Sequence, residues 1–250
     1  MDRPDMNQSR VASRDEWIAA RKTLLAKEKE LTRLRDQLSA ERRNLPWVRV
    51  EKDYVFDGPS GKRTLADLFD GRSQLIVYHF MFGPGWEQGC PSCSFLADHV
   101  DGTLAHLAAR DVTFVAVSRA PLEEIRLFQQ RMGWRFKWVS SHGSHFNYDF
   151  HATMDEAVAP VEYNYRDKAT LERLGHTYHV KGEQPGASVF VRNGDGIYHT
   201  YSTYGRGLDL LVGAYNYLDL VPKGRDEDDL AFTMAWVRHH DRYGDAETRP

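Results

Sequence analysis

Cysteine is almost absent from this sequence. Two of the 250 residues are cysteine, and both lie in one tetrapeptide, Cys90-Pro91-Ser92-Cys93. Two thiols cannot make a four-cysteine zinc centre. A tetrahedral site would need two histidines from elsewhere, with His99, His142, His145 or His179 as candidates. A strong excess of either charge is also missing. The formal net charge is -3, so nothing predicts a nucleic-acid or anionic-membrane partner. No stretch approaches the roughly 18 uninterrupted apolar residues of a spanning helix. The N-terminal decapeptide lacks the apolar core of a secretory signal. There is no internal repeat, no low-complexity segment and no Gly-rich dinucleotide fingerprint. These absences predict a soluble cytoplasmic protein with no metal, no bound cofactor, and neither nucleic acid nor membrane as partner. Structural disulfides are rare in that compartment, so a close cysteine pair there signals redox work or metal.

What remains is ordinary for a globular protein: 41% apolar and 28% charged residues. The chain is long enough to bury a real core. Residues 1 to 12 are polar and are expected to be disordered. Ser13 and Glu16 have capping-box spacing. Trp17, Leu24, Leu31 and Leu38 then recur every seven residues, joined by Ile18, Leu25 and Leu34. A helix is expected over residues 13 to 45, stopped by Pro46. Its stripe packs either on its own domain or on a second copy, making a homodimer possible.

Residues 47 to 56 alternate and read as one strand. The cluster at 57 to 61 is a turn, and Thr64 caps a short helix. Leu75, Ile76, Val77, Tyr78 and Phe80 form a strand running into a Gly/Pro-rich loop that ends at Cys90. After Cys93, apolar residues fit one helical face to about residue 110, with a kink at Gly102. Val112 to Val117 is a continuous apolar run, typical of a buried parallel strand. Pro121 opens a helix that Gly133 ends, and a short strand follows at 136 to 139. Residues 140 to 184 are irregular and rich in His and Tyr. Their aromatics predict an ordered covering segment, a candidate lid over the cysteines. Residues 187 to 191 and 197 to 201 form a hairpin, and Leu208 to Leu218 a helix. Residues 225 to 229 are an acidic connector. Residues 230 to 237 read as a last short helix within a C-terminal extension spanning 222 to 250.

A strand, a loop, Cys-x-x-Cys and a helix in a βαβ setting make a redox arrangement. At the first turn of a helix, free N–H groups and the helix dipole favour a thiolate. Cys90 is therefore the expected nucleophile. Cys93, one turn later on the same face, is the expected resolving thiol. Pro91 suits the first turn because its missing N–H would be unpaired anyway. Trp86 is expected to shield the pair or shape a substrate surface. Glu87 reads as a solvated loop residue and His79 as a satisfied core histidine.

The order of elements resembles the thioredoxin-like fold over residues 46 to 221, an α/β/α sandwich with a mixed central sheet. The extra early strand and helix resemble the peroxiredoxin-type elaboration of that fold. LPWVRVEKDYVFDGPSG, LIVYHFMFGPGWEQGCPSCSFLADH, VAVSRAPL and RMGWRFKWVSS with FNYDF resemble a bacterial family of thioredoxin-like proteins of unknown function, labelled dithiol–disulfide oxidoreductases. That resemblance covers nearly the whole chain. It implies a disulfide-containing protein or small-molecule substrate and an external thiol or thioredoxin-type reductant. Two positions depart from thioredoxins. Gly89 stands where they carry Trp, directly before the first cysteine. Gly186, by counting back from the hairpin turn, stands where they place a cis-proline, with Pro185 as the alternative; both are expected near substrate. Two other functions stay open. One is a thiol peroxidase using the same pair, although the hydroxyl residue of the peroxiredoxin motif is Glu87 here. The other is a non-catalytic binding protein whose cysteines are inert or hold zinc.

Overall fold

The computed structural model describes residues 10–244. The expected disorder of residues 1 to 12 falls mostly outside them. Helix α1 spans Arg14–Arg43, and the capping box at its start is formed: Ser13 and Glu16 satisfy each other's free groups. Its apolar stripe does not pack on the domain. No residue of α1 is buried, and Trp17 and Leu31 remain 52% and 58% exposed. The self-packing expectation is therefore corrected.

Next come β1 (Val48–Arg49), β2 (Val55–Gly58), β3 (Gly61–Thr64) and α2 (Leu65–Leu68). The Thr64 cap of α2 is formed, with Asp67 completing its box. Strand β4 (Gln74–His79) leads through the Gly/Pro loop to α3 (Pro91–Ala97), then α4 (Leu104–Ala109), β5 (Val112–Ser118), α5 (Leu122–Met132) and β6 (Lys137–Ser140). The covering segment holds α6 (Phe146–Asp149), β7 (Thr153–Met154), β8 (Glu162–Tyr163), β9 (Arg166–Asp167), α7 (Lys168–Arg173) and β10 (Gly182–Glu183). The hairpin β11 (Gly186–Asn193) and β12 (Gly196–Tyr204), then α8 (Gly213–Leu218), complete the regular elements.

The main sheet has eight strands in the order β1-β12-β11-β4-β5-β6-β2-β3. Parallel β4, β5 and β6 lie at its centre, and the antiparallel hairpin joins at β4. The run β12-β11-β4-β5, with the cysteine helix following β4, is the thioredoxin-like arrangement. Both faces of the central strands are buried, which explains their continuous apolar runs. Along β4, Tyr78 joins Phe114, Phe128 and Trp138 in the core beneath α3 and α5. Leu75 and Val77 join Phe56, Phe69 and Phe146 on the opposite face. The period of two thus builds two apolar layers around one sheet.

Four expected elements differ. The helix expected over 208 to 218 is α-helical only over Gly213–Leu218, after a tighter 3-10 segment at Gly205–Leu211. The strand expected at 47 to 56 is two strands on opposite sides of the sheet. Val48 pairs with His199 in β12, and Asp57 pairs with Ser140 in β6. The alternation continues through the crossing because Val50 and Tyr54 pack into the second core layer. The helix expected to reach residue 110 breaks at 98 to 103. Asp98 there accepts the Trp134 indole N–H at 2.8 Å, and Asp101 accepts the backbone N–H groups of Arg135 and Phe136. These carboxylates tie the break to the loop after α5. Residues 230 to 237 form turns rather than a helix. Glu227 Oε1 accepts from Tyr215, the Met234 backbone and the Trp236 indole, winding the segment around one carboxylate.

Candidate active site

The loop after β4 delivers Cys90 to the start of α3, where it is the N-cap residue and Pro91 opens the helix. Cys90 N–H donates to the Met81 carbonyl at 3.0 Å, tying the cysteine to the end of the strand. Gly89 explains the missing tryptophan. A Cβ there would come within 2.6 Å of the Phe80 ring and 2.7 Å of the Phe128 ring. Only glycine fits between those walls without displacing them.

Both thiols are free; Cys90 is half-buried and Cys93 buried. The Cys93 thiol is the main stabiliser of a Cys90 thiolate. The backbone N–H groups of Cys93 and Ser92 and the Ser92 hydroxyl add to it. Against the opposing effect of burial, they bring Cys90 down to about 7. Cys93 moves the other way, raised well above the usual thiol range by burial first and by Cys90 second. The Tyr78 hydroxyl and the Met81 N–H, the latter 3.4 Å from Cys93 Sγ, partly offset that rise. The two sulfurs are thus electrostatically unequal, as a nucleophile and a resolving thiol need to be.

A cavity of about 180 Å³ lies beside the pair, with Tyr78, Met81, Cys93, Pro185, Leu208 and Met234 among its walls. It meets Cys93 rather than Cys90. Pro185 is thereby brought to the thiols, in a trans peptide. Gly186 is not. It pairs with His79 and Tyr204, and a Cβ on it would lie 2.7 Å from the Tyr204 ring. Trp86 is exposed on the loop and does not line the cavity. Glu87 is exposed as well. His79 is buried, its Nε2 2.8 Å from Ser188 Oγ, while its Nδ1 has no partner. It is a core histidine, but only half satisfied.

The covering segment flanks the site more than it closes it. Tyr163 donates to the Pro185 carbonyl and accepts from Gly205 N–H. Tyr178 is 66% exposed, yet close enough to feel the charge of both cysteines. The histidines considered for zinc are dispersed: His99 bonds to Ala214, His142 to Arg119 and His179 to Gln184. Among the described residues, no three or more His, Cys, Asp or Glu side chains form a metal-binding group.

Sequence reasoning missed the contribution of the C-terminal extension. His239, buried at 3% exposure, donates from Nε2 to the Gly89 carbonyl at 2.9 Å. Arg131 donates to the other ring nitrogen and is itself held by Asp241. Trp236 packs edge-on against Phe95 of α3, and Met234 walls the cavity. No periodicity or motif marks these residues in the sequence. Tyr78 was legible only as one of the run of apolar residues and β-formers leading into the loop.

The fold and the paired thiols define a thioredoxin-like protein with a Cys-x-x-Cys pair at the head of a helix. The chain belongs to the family described as "Bacterial protein of unknown function (DUF899)", whose model matches residues 6–243. No curated protein matches it in sequence. Among solved structures, a Cys-to-Ser mutant of Xylella fastidiosa PrxQ is 13% identical, with a TM-score of 0.45, covering 70% of this chain and 96% of its own. Mycobacterium tuberculosis peroxidoxin BcpB is 12% identical at TM-score 0.40, covering 67% and 94%. A secreted Mycobacterium tuberculosis disulfide oxidoreductase homologous to E. coli DsbE is 16% identical at TM-score 0.36, covering 64% and 92%. Among the described residues, no helix is long and apolar enough to cross a membrane.

Proposed function

We propose that the protein is a thiol–disulfide oxidoreductase. The observation that carries this reading is the inequality of the two sulfurs, with Cys90 near 7 and Cys93 held protonated. The Cys90 thiolate attacks one sulfur of a substrate disulfide; that S–S bond breaks and the other substrate sulfur leaves as a thiolate. Cys93 then gives up its proton and attacks Cys90 Sγ. The mixed disulfide breaks, the second substrate thiol departs, and Cys90–Cys93 is left oxidised. Two electrons have passed to the substrate. Tyr78 and the Met81 N–H serve as positioning groups that ease deprotonation of Cys93. An external dithiol, small or of thioredoxin type, resets the pair. The proposed setting is the cytoplasm, where such reductants keep thiols reduced.

A second reading uses the same residues for peroxide. The Cys90 thiolate would attack one peroxide oxygen; the O–O bond breaks, water or an alcohol leaves, and Cys90 becomes a sulfenic acid. Cys93 would then attack that sulfur, displacing its oxygen as water and forming the Cys90–Cys93 disulfide. A Cys90 held near 7 serves this reading as well, since attack on peroxide also needs a thiolate. One experiment separates the two. The reduced protein is mixed with stoichiometric hydrogen peroxide or with oxidised glutathione, and loss of free thiol is timed. Faster reaction with glutathione disulfide supports exchange, and faster reaction with peroxide supports the second reading. No Cys90–Cys93 disulfide under either oxidant defeats both.

We also propose that α1 joins two copies of the chain. Its apolar stripe recurs every seven residues and is left uncovered in one copy. A second α1 is the partner that such spacing fits.

A further inference from the structure

A larger cavity, which the thiol chemistry does not use, lies on the same face of the sheet. It holds about 360 Å³. Ile76 and Phe114 of the central strands wall it on one side, and Leu96, Val100 and Leu107 of the α3–α4 segment on another. Leu96 also borders the cavity beside Cys93. Its walls contain no Asp or Glu. They contain one permanent cation, Arg42, in the last turn of α1. The Arg42 guanidinium lies 4.8 Å from the Tyr201 ring centroid and makes no ion pair among the described residues.

His99 lines the cavity as well, along with the hydroxyl-bearing Thr103, Tyr201 and Thr203. Its Nε2 accepts the Ala214 backbone N–H at 3.0 Å, so in the neutral ring the proton sits on Nδ1. Nδ1 is buried and has no partner. Gly213 packs against the Cδ2 edge, where a Cβ would lie 2.7 Å away, which puts the Nδ1 edge on the opposite side of the ring. A buried donor without an acceptor is uncommon and costs stability.

We propose that this cavity binds a medium-chain apolar monocarboxylate, with its carboxylate at Arg42 and its chain along the α3–α4 wall. A pure hydrocarbon would leave the lone cation without a counter-charge. A multiply charged anion would bring more charge than one arginine neutralises, into walls that are mostly apolar. A single carboxylate matches the charge and offers two acceptor oxygens. At interior packing density the space holds a chain of roughly ten to twelve carbons.

The test is a calorimetric titration of the full-length reduced protein with decanoate, and with decanol as the uncharged probe. The expected result is saturable one-to-one binding of decanoate below about 1 mM. Arg42→Gln should weaken decanoate about tenfold and leave decanol unchanged. Leu107→Trp should abolish both, and circular dichroism checks that each variant is folded. Absence of saturable binding to the wild-type protein overturns the proposal. So does an Arg42→Gln variant that binds decanoate as the wild type does. Binding that emerges only when Leu24→Glu and Leu31→Glu disrupt the α1 stripe would give the cavity to a second copy and overturn it as well.

Discussion

Cys90 and Cys93 are chemically identical residues separated by their surroundings. The largest stabiliser of the Cys90 thiolate is the Cys93 thiol itself. Cys93→Ala should therefore raise the midpoint for Cys90 alkylation from about 7 toward the free-thiol value of about 8.5. Iodoacetamide rates measured across pH would check this. An unchanged midpoint would mean that the helix N–H groups alone set it. Gly89 gives a second residue-level test. With the Phe80 and Phe128 rings within 2.7 Å of any added Cβ, Gly89→Ala should cost about 1–3 kcal/mol through overpacking. The urea midpoint of unfolding reads that loss directly.

Among the elements, the C-terminal extension behaves as a strap. His239 holds the carbonyl next to Cys90, Arg131 holds His239, and Asp241 holds Arg131. Burial lowers the His239 pKa, which suits a neutral ring that donates from Nε2 and accepts at Nδ1. His239→Phe keeps the packing on Phe128 but removes the tether. Its expected effect is faster hydrogen exchange at Gly89 and Cys90 and a shifted Cys90 midpoint, with little change in global stability. Exchange at wild-type rates would show the bond to be dispensable. The strap was illegible in the sequence because one carboxylate, Glu227, organises it, not a repeating apolar pattern. By contrast, β4, β5 and the caps of α1 and α2 could be read directly, since continuous apolar runs and capping chemistry specify them. The cysteine pair was equally plain. Pro185 and Gly186 were harder to place, because a one-residue shift in strand length decides which faces the thiols. The strand after Trp47 was misread because its alternation persists while the chain changes sheet edges.

For the whole molecule, His79 makes stability depend on pH. Burial lowers its pKa to about 3, against about 6.5 in an unfolded chain. Above 6.5 neither state is protonated, and the contribution is fully present. As pH falls toward 3, the unfolded chain takes up a proton that the native state refuses, and stability is lost. His79→Gln should reduce the slope of unfolding free energy against pH in that window by up to about 1.4 kcal/mol per unit. Equal slopes in the two proteins would refute the assignment. The oligomeric state is tested by sedimentation equilibrium: a dimer is expected, and Leu24→Glu with Leu31→Glu should leave monomers. A monomeric wild type at micromolar concentration would exclude pairing through α1. The 30 residues of α1 also bear on how that experiment is done. At 1.5 Å per residue they form a rod of about 45 Å, which adds friction out of proportion to its mass. A single copy would elute early from a sizing column and pass for two, so equilibrium mass measurements, insensitive to drag, are the ones that count copies.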